Sequence, residues 1–167
     1  MMAALSIVIL FLSGIIPTMT IALPALAGCM LIPVTAECGI RYGFTTFAAV
    51  SLLGFFLAAD REAWLIYILF FGYYPVLYGL LDKISNRKLM YVVKLLIFTI
   101  ACISEGLITV FLLGIPMDEF GPFGKWSVLI LLIAAEVVFV VYDKCIRNLI
   151  LLYFAKFRKI LSKIFRI

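Results

Sequence analysis

Apolar residues run along the chain in blocks close to the 20 or so residues that a helix needs to cross a bilayer, parted by short links. The first block covers residues 1–16 and is closed by Pro17, a helix stop. A second block follows at 21–38. Pro24 suits its first helical turn, whereas Pro33 should kink it. Residues 39–43, with Gly39 and Gly43 at the ends, read as a tight link to a third block that begins near Tyr42 and ends at Ala59. Asp60, Arg61 and Glu62 then break the pattern. The fourth block, 63–81, carries Gly72, Tyr73, Tyr74 and Pro75 at its middle, and a bend is expected there because Pro75 frees a carbonyl upstream. After a polar connector with Lys83, Arg87 and Lys88, the fifth block covers 89–115. At about 40 Å as a helix it exceeds the hydrocarbon thickness and must tilt or start in the interface. A connector at 116–124 holds Asp118 and Glu119, and the sixth block runs from 125 to about 142.

The pattern predicts an all-α fold: a polytopic membrane bundle of six transmembrane helices at 1–147. A C-terminal amphipathic helix follows at 148–167. In that tail Ile150, Tyr153, Phe154, Phe157, Leu161 and Ile164 recur at helical spacing, and Lys156, Lys159, Lys163 and Arg166 fall on another face. Such a helix lies on the cytoplasmic membrane surface, held by lipid headgroups or offered to a cytoplasmic partner.

Composition strengthens this reading. Of 167 residues, 66% are apolar and 14% charged, against roughly half and a quarter in soluble domains. Too little polar surface remains to cover a water-soluble globule. A soluble enzyme and a nucleic-acid-binding module are excluded, and there is no room for a second soluble domain. The net charge of +5 does not point to nucleic acid, because seven of the 14 Lys and Arg follow Asp143 and the first 36 residues carry no charge. With both termini in the cytoplasm, 12 basic residues lie inside and only Arg61 and Lys125 outside, so a multi-pass cell-membrane protein of that orientation is expected. The N-terminus lacks a basic n-region and stays apolar past any cleavage point, so it reads as a membrane segment and not a signal peptide.

Little of the sequence suggests catalysis. Histidine is absent, and Cys29, Cys38, Cys102 and Cys145 lack metal or redox spacing and read as small buried apolar residues. No paired-glutamate protease signature, phosphate loop or Asp-rich phosphotransferase motif is present. No enzyme activity, cofactor or metal is therefore expected.

Charges inside apolar blocks are the informative residues, because hydrocarbon penalises them. Lys94 and Asp143 lie a few residues in from the cytoplasmic ends of helices five and six and can pair. Glu37 and Arg41, four apart, can pair locally. Glu105 and Glu136 lie deeper, with Thr99, Ser104 and Thr109 as polar neighbours. Counted from the two boundaries, they differ by about 5 Å in depth. Two readings stand: carboxylic acids that hold helices together, or the polar end of an outward-opening ligand site. In the second, Tyr73, Tyr74 and Tyr78 are candidate aromatic walls for a flat organic ligand. Thr35, Gly39 and Gly43 form a small-residue repeat, most simply for packing within the chain.

The chain resembles the substrate-binding S components of energy-coupling factor vitamin transporters. The resemblance covers nearly the whole chain and is architectural. It rests on length, six helices, cytoplasmic termini, Gly72-Tyr73-Tyr74-Pro75, and the broken stretch from Ser13-Gly14-Ile15-Ile16-Pro17 to Pro24-Ala25-Leu26-Ala27-Gly28. It implies a loop after helix one that covers an outward-facing micronutrient site, a small-molecule ligand, and partners comprising a transmembrane coupling subunit and cytoplasmic ATPases. In that family helix one often carries two alanines four apart for the coupling subunit. Here Ala3 is followed at that spacing by Ile7 and Ala4 by Val8. A noncatalytic membrane scaffold or interaction subunit is the alternative reading.

Overall fold

The computed structural model describes residues 1–112 and 125–157. The connector holding Asp118 and Glu119, and the tail beyond Phe157, lie outside the described residues. So do the side chains of Thr109, Lys156 and Phe157. No strand occurs among the described residues. The helices are α1 (Met2–Ser13), α2 (Ala22–Cys29), α3 (Leu31–Cys38), α4 (Ile40–Leu57), α5 (Arg61–Ile66), α6 (Tyr74–Leu81), α7 (Arg87–Leu112) and α8 (Lys125–Leu152). A 3₁₀ turn covers Pro17–Met19, and π turns cover Tyr67–Phe71 and Tyr153–Phe157. With α2 and α3 in succession, and α5 joined to α6 through the first π turn, the described residues make six helical rods.

Among the described residues, three rods are long and apolar enough to cross a membrane: Ile40–Leu57, Arg61–Leu81 and Arg87–Ile108. Arg61–Leu81 is the central one, 50% buried against 17% for each of the others. Large apolar side chains are exposed along the described rods. Along α7, Val92, Leu96, Ile100, Ile103 and Leu107 are exposed as one stripe, while Lys94, Phe98 and Ala101 on the opposite face are buried. Ser6, Ser13, Lys94 and Asp143 are buried polar groups. Large apolar side chains outside and hydrogen-bonded polar groups inside suit a hydrocarbon surround.

Several breaks differ from the sequence pattern. Pro33 does not bend one long helix at its own position. It has no N–H for the carbonyl four residues back, Cys29, and the helix breaks at Met30, giving α2 and α3. The expected five-residue link at 39–43 is Gly39 alone, whose φ of 97° suits only glycine, and Arg41 to Gly43 are already helical. Glu37 and Arg41 thus sit on different helices, without the same-helix geometry expected of them. Asp60 caps α5 by accepting from the Glu62 and Ala63 amides at 3.0 and 3.4 Å.

Helix α8 continues through Asn148, so the described part of the expected tail is an unbroken extension of it. Tyr153 is buried and its hydroxyl donates to Glu37 Oε1 at 3.1 Å, tying this end to α3. The cysteines form no disulfide, and Cys38 and Cys145 are exposed instead of buried as expected. A thiol is apolar enough to face lipid as readily as the interior.

Glycine positions set the closest helix contacts. A Cβ on Gly43 would meet Thr35 Oγ1 at 2.5 Å, so the small-residue repeat packs α3 against α4 within the chain. A Cβ on Gly28 would lie 2.0 Å from the Phe71 carbonyl oxygen. Pro75, four residues beyond Phe71, has no N–H for that carbonyl, and Gly28 lets α2 pass directly over it. The π turn itself bonds Gly72 N to Tyr67 O at 2.7 Å. It divides its aromatics between two cores. Tyr67 packs with Leu10, Ala27 and Val50, whereas Phe70 and Phe71 pack with Phe98, Phe139 and Tyr74.

Candidate functional site

Helices α7 and α8 place their chemistry on facing stripes. Lys94, Phe98, Ala101 and Glu105 recur at four, three and four residues on α7, and Glu136, Phe139 and Asp143 at three and four on α8. The π turn and α6 close the third side.

The lower part is an ion-pair cluster. Lys94 Nζ lies 2.8 Å from Asp143 Oδ1, with the lysine side chain 1% exposed and the aspartate 11%. The Tyr74 hydroxyl donates to the same oxygen. Lys94 Nζ also lies 3.9 Å from the centre of the Tyr78 ring, a cation–π contact. The pairing expected of Lys94 and Asp143 is therefore present. Tyr74 and Tyr78 belong to this cluster, and Tyr73 packs edge-on against Phe47 and Phe70. All donors and acceptors of the cluster lie within the protein, which makes it a lock between α6, α7 and α8.

Above it, Phe98 and Phe139 stack with centres 4.6 Å apart and planes 12° apart. Phe70 meets both edge-on at 74°. On the far side of this layer from the ion pair lies a cavity of about 180 Å³. Its wall includes Phe70, Phe71, Phe98, Phe139 and Tyr142, the small Ala101 and Ala135, and Glu105 as its charged member. Glu105 forms no hydrogen bond among the described residues, and the buried cation Lys94 is already committed to Asp143.

Glu136 has different surroundings. Its Oε1 lies 2.6 Å from the Thr99 hydroxyl, which is also 2.9 Å from Leu95 O on its own helix. Thr99 precedes Glu105 by six residues, about 9 Å of helix rise, so the carboxyl of Glu136 engages α7 well below Glu105. Glu136 is not part of the cavity wall, nor are Tyr73, Tyr74 and Tyr78.

No pattern in the sequence singles out the aromatic residues that do surround the cavity. Phe98 and Phe139 looked like generic apolar residues, although their four-residue spacing from Lys94 and Asp143 places them on the inward stripe. Tyr142 precedes Asp143, and Phe70 and Phe71 are turned inward by the π turn, which has no sequence signature.

No family model matches this sequence, and no curated protein or solved structure is similar to it. Function must follow from the site's own chemistry.

Proposed function

We propose that this chain is a multi-pass membrane subunit that binds a small organic compound for uptake, with six spans and both termini in the cytoplasm. The observation that carries the reading is the partly open cavity between α7, α8 and the π turn, with five aromatic residues and one carboxyl in its wall. Cavities of this kind hold ligands by shape and apolar contact, while a few polar groups fix orientation. A volume near 180 Å³ admits a one-ring molecule, since an engineered cavity of about 150 Å³ holds benzene. The chain has no nucleotide motif of its own, so uptake would draw energy from partner subunits, a transmembrane coupling protein and cytoplasmic ATPases. The 12-to-2 distribution of basic residues supports the orientation.

Native mass spectrometry of the detergent-purified chain tests the binding reading. The expected result is a near-stoichiometric compound of one-ring size, lost in Ala101→Phe, which fills the cavity. Retention of the compound by a folded Ala101→Phe variant moves the site elsewhere. A ligand-free chain that brings down a stoichiometric protein partner supports the scaffold reading instead.

Topology is testable separately. A cysteine at Ser85, introduced after the four native cysteines are replaced by serine or alanine, should resist an impermeant thiol reagent in intact cells and react after lysis. Reaction in intact cells reverses the orientation.

A further inference from the structure

We propose that the Glu105 cavity is a cage for a small alkylated ammonium cation. This rests on the reading of the cavity as a ligand site and names the class of molecule that fits it.

Five of the wall residues are aromatic, set among aliphatic ones such as Ile21, Ile66 and Val138, and several of the rings meet at steep angles. Phe70 meets Phe71 at 69° with centres 5.3 Å apart, and Phe98 at 74° and 4.9 Å. Phe71 meets Tyr142 at 83° and 4.9 Å. Rings at such different inclinations in one wall give a guest more than one ring orientation to meet. Rings attract cations through their quadrupole, and aromatic boxes are the recurring solution for quaternary ammonium groups. The protein already uses the same attraction in its own interior, where Lys94 sits over the Tyr78 ring at 3.9 Å.

Charge completes the match. Glu105 is the charged group of the wall, and it has no donor among the described residues. Hydrocarbon disfavours an unpaired carboxylate. A cationic guest would supply the missing partner.

Hydrogen-bond capacity then narrows the guest. A primary ammonium carries three donors. The polar atoms of this mostly apolar wall are the Glu105 carboxyl, the Tyr142 hydroxyl and the Cys102 thiol, few acceptors for three buried donors, and an unmet one is penalised. A tertiary or quaternary ammonium has one donor or none, and its methyl groups suit the aromatic lining. The cavity of about 180 Å³ also excludes the larger ligands that occupy pockets of roughly 300 Å³ or more.

The test compares choline with 3,3-dimethyl-1-butanol, its neutral isostere, in which carbon replaces the nitrogen. Binding of each to the purified full chain is measured by isothermal titration calorimetry at fixed salt. Choline is expected to bind about 30-fold tighter than the isostere, the scale of a desolvated cation–π contact. Glu105→Gln, which removes the counter-charge and keeps the rings, should weaken choline binding more than isostere binding and so narrow that preference. Equal binding of the two by the unaltered chain overturns the cation inference and leaves the cavity as a site for neutral compounds. Binding of neither overturns the ammonium cage, while the ligand-site reading stands or falls on the native mass spectrometry described above. Because the comparison is made first on the unaltered chain, its outcome does not depend on any variant folding.

Discussion

Lys94→Met is expected to lower the stability of the detergent-solubilised protein by about 3–5 kcal/mol, the range for removing one partner of a buried pair. The ammonium is almost fully enclosed and its partners, Asp143 and the Tyr78 ring, are both internal. Methionine preserves most of the side-chain volume, so the loss reports charge and not a cavity. Asp143 would be left in the interior with Tyr74 as its donor. The penalty should shrink when the stranded groups are removed as well, because an apolar replacement of a whole buried pair is often neutral or stabilising. Lys94→Met combined with Asp143→Leu and Tyr74→Phe is therefore expected to be more stable than Lys94→Met alone. Thermal unfolding followed by size-exclusion chromatography measures both. A Lys94→Met protein as stable as the parent would show that the pair contributes nothing to holding α6, α7 and α8 together.

Gly28→Ala is the second large effect, and its sign opposes helix propensity. Alanine is favoured over glycine in a helix interior by about 1 kcal/mol. At position 28, however, the new methyl group would fall 2.0 Å from the Phe71 carbonyl oxygen and 2.9 Å from its carbon. Both are backbone atoms, which cannot swing aside as a side-chain tip can. Helix α2 must move off the π turn, and Phe71, a wall of the cavity, moves with that contact. Overpacking costs about 1–3 kcal/mol and more where the backbone must shift, so a net loss of at least the upper end of that range is expected. Gly106→Ala is the control: nothing lies within 4 Å of its added Cβ, and it should gain stability. Equal melting temperatures for the two variants would remove the close α2 contact from the account.

Parts of this architecture are legible in residue order because they depend on local physics. Proline without an N–H ends helices near Pro17 and upstream of Pro33. Asp60 caps the helix it precedes. A lysine and an aspartate buried in apolar surroundings must find each other, so Lys94 and Asp143 could be matched from their distances to the helix ends alone. The candidate site was less legible. Depth groups Glu105 with Glu136, but depth does not set rotation about the helix axis. The structure gives Glu136 to Thr99 and leaves Glu105 facing the cavity. Aromatic character alone makes Tyr73, Tyr74 and Tyr78 candidate walls, whereas in the structure Tyr74 and Tyr78 contact the ion pair.

The sequence by itself determined an all-helical chain with segments apolar enough to cross a membrane, the positions of most breaks, and the side chains too polar to face lipid. Each follows from composition, helix length and backbone chemistry within a few residues. Only the tertiary structure decided which aromatics meet. The π turn at Tyr67–Phe71 shifts the helical register, Gly28 allows α2 to reach the Phe71 carbonyl, and the stacked Phe98 and Phe139 separate the ion pair from the cavity. Those outcomes depend on the rotation and spacing of helices against one another. They are set by side chains from distant parts of the chain packing at once, which no local pattern encodes.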